Sequence, residues 1–394
     1  MALYEGLSAE KLAVVLDIGA RYTKFGFVGE FSPRCIIPTE IYCTRTEKIR
    51  KVFDYENDQD LYALLVAFIH KLYFRHVLVS PKDRHVVVVE SLLCPTQFRD
   101  TLASVFYRHY EVASILFVPS QLVTLCALGV RSALVVDVGF TEAQVIPVFE
   151  GVPILNAWEA QPLAGHAIEK RIRENLDKVY MDLMNAGGDT VPPEGATDII
   201  NLSESVIEDI KVRGCFVTTR KRGERLSEGV LTPEPPVLEY RLGGDKMIKV
   251  PGWVRESSCE VMFEKDNEEA SLPNLILDSI LKCPIDTRKG LAENIVLVGG
   301  TVMAPGFKAR LMEELKAHLR SPVYENRLAI TAFKFHTPPA KDNYTCWLGG
   351  AIFGATDMIQ MRGLSRENYL SLKTVPDWSN LATNILSLTR LSIS

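Results

Sequence analysis

Two short apolar runs, Val14-Val15-Leu16 and Leu134-Val135-Val136, each end on an aspartate followed two positions later by a glycine: Asp17 with Gly19, and Asp137 with Gly139. A second run follows each turn, Thr23 to Val28 and Ala143 to Phe149, so the pattern predicts two strand–turn–strand units 120 residues apart. Between them, Asp60 to Phe74 is apolar nearly all round, as a helix buried on several sides would be. His85 to Glu90 reads as an interior strand. Pro95 opens a helix whose Phe98, Leu102, Val105 and Phe106 fall at helical spacing. Ile115 to Val118 is another strand, and Ser120 and Gly129 bracket a short helix. Strands linked by helices argue α/β, and the hairpins argue mixed sheets.

Further on, Gly165 to Met184 reads as a helix and 185–198 as a loop by composition. Ser205 with Glu208 forms a capping box for a helix carrying Ile210 and Lys211. Lys221 to Asp245, rich in Gly, Pro and charge, reads as a surface excursion, and the basic residues from Arg220 to Arg225 as a solvated loop. Leu275 to Leu281 is helical in character. Asn294 to Val298 is a strand ending in Gly299-Gly300-Thr301. Pro305-Gly306 then starts a helix with Phe307, Leu311, Leu315 and Leu319 on one face. Gly349, Gly350 and Gly354 let a late helix pack closely, and the tail from Asp377 is weakly patterned.

At 394 residues the chain suits two lobes rather than one core. It is 47% apolar and 24% charged with a net charge of -5, a mildly acidic balance that argues against a protein that coats nucleic acid. The eight cysteines show no CxxC spacing and sit mostly in apolar stretches, which predicts buried free thiols in a reducing compartment. The seven histidines show no metal-ligand spacing. No apolar run reaches the ~18 residues of a membrane span. Glu5 and Glu10 stand where a signal peptide carries basic residues, so the expectation is a soluble, intracellular protein.

An acidic residue and a glycine at a hairpin turn have a physical use. Glycine allows close backbone approach, turn amides can point at phosphate, and the carboxylate can hold a hydrated cation. Lys24, in the first hairpin, places an ammonium within reach of a phosphate. Two such turns facing each other would grip a polyphosphate from both sides, in a cleft between two lobes. A single Asp-x-Gly carries nothing, because it is also an ordinary β-turn. The set of two with the Gly-Gly-Thr-x-x-x-Pro-Gly turn at a third strand end is far more specific.

VVLDIGARYTKFGFVGE, LVVDVGFTEAQVIPVFEG and IVLVGGTVMAPGF resemble, in order, the two phosphate motifs and the adenosine motif of the actin superfamily. Pro119-Ser-Gln121 and Trp347-Leu-Gly-Gly350 resemble its two connecting helices, and the likeness runs from about Ala13 to Tyr369. Segments such as FGFVGE, PRCIIP, CPIDTRK and HTPPAK look most like the actin-related proteins of the dynactin pointed end. The resemblance implies an actin-like (ribonuclease-H-like) duplicated two-lobed α/β fold with a central nucleotide cleft. Residues 1–128 and 345–394 would form the first lobe, with a shortened subdomain around 38–58. Residues 129–344 would form the second, with a peripheral subdomain around 164–267. It implies ATP or ADP with magnesium as cofactor. Asp17, Gly19, Ala20, Arg21, Tyr22 and Lys24 would surround the phosphates from the first lobe, and Asp137 and Gly139 from the second. Asp17 and Asp137 would hold the metal through water. Gly165, Lys211, Gly299, Gly300, Thr301 and Met303 would flank the nucleoside.

The chain departs from the family pattern where hydrolysis is at stake. Ala20 replaces the serine of the first loop and Arg21 a glycine. Phe140 replaces a carboxylate of the second loop and Thr141 a glycine. Gln121 keeps the place of a water-orienting glutamine, but Gln144 stands for its histidine partner, and an amide cannot relay a proton as imidazole does. Val212 replaces a glutamate and Ala304 an aromatic beside the adenine. The expectation is a structural nucleotide, little or no ATPase activity and no catalytic residue.

Only 55 residues separate Arg34 from Glu90, fewer than in actin, and the missing stretch is where actin carries its mobile inserting loop. A subunit without that loop could sit on a filament's pointed end and recruit no further subunit. The implied partners are actin-like filament subunits and other pointed-end subunits of dynactin, and indirectly dynein and cargo adaptors. No nucleic acid and no membrane span is expected. The alternatives are a phosphotransferase or chaperone-type ATPase on the same fold, and a chromatin-remodelling actin-related protein.

Overall fold

β1 (Val14–Ile18) is buried on both faces, which is why three apolar residues stand side by side in it. Side chains alternate across a strand. Val14 and Leu16 therefore join one cluster with Phe25, Phe68 and Phe106, while Val15 joins another with Val87, Trp347 and Ala351. The computed structural model describes residues 11–43, 47–187, 199, 201–244, 246–265 and 270–376. The chain divides into two units, one drawn from 1–131 with 338–394 and the other from 132–337.

In the first unit β1 lies between β2 (Tyr22–Phe27), antiparallel to it, and β6 (His85–Glu90), parallel to it. β3 (Cys35–Pro38) extends the β2 edge. β7 (Ser114–Pro119) lies parallel to β6 and is followed by the short strand Leu364–Ser365, giving a mixed six-stranded sheet. β4 (Glu40–Cys43) and β5 (Lys48–Lys51) form a separate hairpin in which Cys43 pairs with Lys48. The predicted helix over 60–74 starts earlier, at Asp58, because Asn57 caps it by accepting from the Asp60 amide. It ends at Lys71 and passes into a π turn, Leu72–Val77. The helix Thr345–Gly354 packs tightly, as its glycines foretell: a Cβ on Gly349 would lie 1.8 Å from the Val123 carbonyl of the helix Ser120–Leu128.

The second unit is built on β8 (Ala133–Val138) and β9 (Ala143–Phe149), an antiparallel hairpin. β10 (Val152–Pro153) and β11 (Glu159–Gln161) pair with β9. β12 (Leu238–Gly243) and β13 (Lys246–Val250) form a separate hairpin. β14 (Ile295–Val298) runs parallel to β8 and completes the sheet. The helix Phe307–His318 seals one face with Phe307, Leu311 and Leu315 wholly buried, and Leu319 follows partly buried.

Four sequence expectations need correction. Ser203, not Ser205, caps the helix Glu204–Gly214: its hydroxyl accepts from the Val206 amide, and Ser205 bonds to Ser203 instead. The residue three beyond Ser203 is Val206, so no capping box forms. Residues 221–244 lie largely at the surface, as expected, but are not all loop, since they hold most of the helix Arg220–Ser227 and β12. Nor are the basic residues there a solvated loop. Arg222 grips the buried Glu256 with two hydrogen bonds, and Arg220 pairs with Glu314. All eight cysteines are free, but only Cys215, Cys259 and Cys283 are buried, and Cys126 is exposed. The predicted loop beyond 187 and the tail from Asp377 lie outside the described residues. Among the described residues no helix is long and apolar enough to cross a membrane.

Candidate functional site

The two aspartate–glycine hairpins close in the same way. The Gly19 amide donates to the Tyr22 carbonyl at 3.1 Å, and the Gly139 amide donates to the Glu142 carbonyl at 3.2 Å. Each turn thus spans two residues, Ala20-Arg21 and Phe140-Thr141. None of the four has a positive φ. The backbone therefore accepts the bulky Arg21, Phe140 and Thr141 without strain. Among the described residues the amides of Ala20 and Thr141 donate to no protein acceptor, which suits an anionic ligand.

In the first unit Asp17 and Lys24 are cross-strand partners, and the Lys24 ammonium sits 3.1 Å from the carboxylate. Both side chains are largely buried. Behind the turn, the Thr39 hydroxyl donates to the Gly19 carbonyl at 2.7 Å, and its amide donates to the Arg21 carbonyl at 3.0 Å. Tyr22 is exposed at the start of β2.

In the second unit more of the expected residues converge. The parallel register sets Val298 beside Asp137, which brings Gly299 against the turn. Gly299 takes φ +102, and a Cβ there would lie 2.2 Å from the Val138 carbonyl and 2.9 Å from Asp137 Oδ1. Only glycine fits. The Thr301 hydroxyl donates to the Gly139 carbonyl at 2.6 Å, and the Gly165 amide donates to the same oxygen at 3.2 Å. The helix Gly165–Gly187 therefore begins at the turn, with the positive end of its dipole toward it. Lys211 reaches Glu169 at 2.6 Å and lies 5.6 Å over the Phe140 ring. Phe140 also meets the His166 ring edge-on at 5.6 Å, and its carbonyl accepts from the His166 amide at 2.7 Å. Gly300 caps the 3-10 turn Thr301–Met303, where Met303 is half exposed.

The second hairpin has no lysine opposite its aspartate. The cross-strand partner of Asp137 is Gln144, whose amide donates to Glu142 at 2.7 Å. The Val212 side chain is exposed and Ala304 is partly buried against the core. Sequence reasoning missed Thr39, Glu142, His166 and Glu169. The first gives no local signal, being twenty positions from the glycine it supports. His166 and Glu169 carry a faint one, since they share the first turn of the helix opened by Gly165.

A mixed sheet entered by an aspartate–glycine hairpin in each unit, with a glycine–threonine turn closing on the second, is a duplicated arrangement. The model of the family described as Actin matches residues 57–371. The chain belongs to the actin family. It is 28% identical to "Actin-related protein 10" of Dictyostelium discoideum, over 97% of this chain and 92% of that protein. It is 23% identical to "Putative actin-29" of the same organism, over 91% of this chain and 94% of that protein. Actin-family membership makes the chain an actin-related protein.

The residues present fit an adenine nucleotide. Turn amides and the helix start at Gly165 supply donors for phosphate, and Lys211, paired with Glu169, stands beside that turn. The close backbone around Gly299 leaves the Thr301–Met303 turn beside the Asp137 hairpin. Asp17 is paired with Lys24 within the first unit.

Proposed function

We propose that the chain is a structural actin-related subunit that caps the pointed end of dynactin's actin-like filament, in the machinery that carries dynein and its cargo. It holds an adenine nucleotide as a structural ligand and turns it over slowly or not at all. The residues proposed for ATP or ADP with magnesium are Ala20, Arg21, Tyr22 and Lys24 of the first unit and Gly139, Gly165, Lys211, Gly299, Gly300, Thr301 and Met303 of the second, each set taken within its own unit. Asp17 and Asp137 face the metal through water.

The reading rests on the register of one hairpin. Cys43 pairs with Lys48, so only residues 44–47 connect β4 to β5, and Asn57 already caps the next helix. Most of the described chain between β3 and that helix is taken up by these paired strands, which leaves little length for a long inserting finger. Such a subunit can accept a neighbour on one side and offers none a loop on the other.

Side-chain chemistry supports slow or absent hydrolysis. Gln144 is tied to Glu142, and an amide cannot take a proton from water at neutral pH. Phe140, packed on His166 and under Lys211, brings no carboxylate to the second turn. A nucleotide held there stabilises the folded chain by its binding free energy.

Elongation of actin-like filaments with free pointed ends tests the assignment. The chain should stop subunit gain and loss at pointed ends and leave barbed ends unaffected. Unchanged pointed-end rates at saturating chain would overturn it.

A further inference from the structure

Residues 230–237 read Val-Leu-Thr-Pro-Glu-Pro-Pro-Val and connect the helix Arg220–Ser227 to β12. The helix ends in a Schellman motif. Gly229, at φ +70, donates to the Leu226 carbonyl, and Val230 donates to the Arg225 carbonyl. Beyond that point the covalent structure dictates the path. Pro233, Pro235 and Pro236 have φ fixed near −65°, and each residue preceding a proline is confined to the extended region. Thr232, Glu234 and Pro235, each before a proline, are therefore biased to polyproline II or extended backbone, and Pro233 and Pro236 have φ fixed at the value that backbone uses.

The protein body fastens this strap. Arg222 donates to the Pro233 carbonyl at 2.6 Å, and Arg255 donates to the Pro236 carbonyl at 2.6 Å. The Pro235 carbonyl lies on Gly252, where a Cβ would be only 1.8 Å away. Polyproline II has three residues per turn, so tethers three positions apart fall on one side. Pro235 meets Gly252 on a second side, and the third face is left to solvent. Leu231 is 100% exposed and Val237 53% exposed, with Glu234 exposed between them; these three are again three residues apart. The prolines have no amide to give, so the strap cannot extend a sheet, and among the described residues its outer face is left exposed.

We propose that the strap is a preformed docking ligand for a polyproline-binding domain, one with an aromatic-lined groove for Leu231, Val237 and the proline rings and a basic side chain opposite Glu234. Glu234 is the only charged residue between Val230 and Val237, so it sets the sign of the complementary charge. Preorganisation is the physical advantage: the ordering entropy that a free proline-rich peptide loses on binding is already lost here. The proposal makes no use of nucleotide or of the filament end.

The test titrates purified SH3-type, WW-type and EVH1-type domains, fluorescently labelled, into the full chain. At least one class should bind saturably. Leu231→Asp and Pro236→Ala should each weaken that binding about tenfold or more, and Glu234→Lys should weaken it less, with melting temperatures unchanged because the side chains are exposed. Failure of all three classes to bind, or affinity indifferent to these substitutions, would overturn the proposal. A lowered melting temperature for Pro236→Ala leaves Leu231→Asp, which touches no protein contact, to decide.

Discussion

Thr301 Oγ1 donates to the Gly139 carbonyl at 2.6 Å, and Thr39 Oγ1 stands in the same relation to Gly19 at 2.7 Å. Each hairpin glycine thus has its carbonyl held from behind by a threonine that comes from another segment. Replacing either by the isosteric valine keeps the volume and removes the donor. Thr39→Val should cost about 1–2 kcal/mol, within the range for a buried acceptor left unsatisfied, and Thr301→Val less, because the Gly165 amide still donates to the Gly139 carbonyl. Serine at either site should recover most of it. Urea midpoints for wild type and the two variants at each position check this; valine equal to wild type would show that the bond carries no stability.

Glycine at 299 is required for two reasons, its φ of +102 and the Val138 carbonyl 2.2 Å from any Cβ. Gly151 shares only the first, with φ +78 and nothing within 4 Å of a Cβ. Gly151→Ala should cost about 1 kcal/mol, and Gly299→Ala at least about 3 kcal/mol, because backbone must also move. The ordering of the two melting temperatures is the readout, and equal losses would refute the contact argument.

Two carboxylates should pull stability in opposite directions as pH changes. The Arg50 guanidinium, and then the Glu56 amide, hold Asp60 below its ordinary value of 3.8. The unfolded chain then binds the proton more readily, so the Asp60 contribution is present above that value and is lost as pH falls through the depressed one. Burial pushes Glu260 above its ordinary 4.5 despite the two hydrogen bonds from Arg310. Its contribution is present below 4.5 and is lost as pH rises through the raised value. Asp60→Asn should therefore flatten the acid side of the stability curve, and Glu260→Gln the window just above 4.5. The latter should also weaken the fold at neutral pH by leaving Arg310 short of a partner. Denaturant midpoints between pH 3 and 8 separate the two (roughly the range over which carboxylates titrate), and parallel curves would contradict both assignments.

If hydrolysis is lost for want of a base, imidazole at position 144 should restore some of it. Gln144→His should raise single-turnover phosphate release by about tenfold or more, at the low end of general-base effects because Ala20 and Phe140 remain. Release that stays flat would place the defect in the turns instead.

How far the sequence disclosed this fold depends on where each stabilising partner lies. β1 and β8 were legible because strands buried on both faces leave unbroken apolar runs. The helices at Ser120 and Gly165 carry their boundaries in local residues. The helix Arg220–Ser227 was not legible, since its arginines are answered by Glu256 and Glu314, far along the chain. Serines 203 and 205 are nearly equivalent as strings. The choice between them is made by which start buries Ile207 and Ile210. Of the expected site residues, Gly139, Gly165, Lys211, Gly299 and Thr301 are gathered around one turn of the second unit. The Lys24–Asp17 pair follows from strand register, but Thr39 is a tertiary partner that no local pattern announces.

Nucleotide content is the most direct measure of the central claim. The purified chain is denatured, and the released bases are separated by chromatography and compared with protein concentration, for wild type and for Asp137→Ala. The account predicts close to one adenine nucleotide per wild-type chain, with any triphosphate persisting through long incubation, and a large loss in the variant together with a lower melting temperature. A wild-type chain that releases no nucleotide, and whose melting is unmoved by added ATP and magnesium, would contradict it.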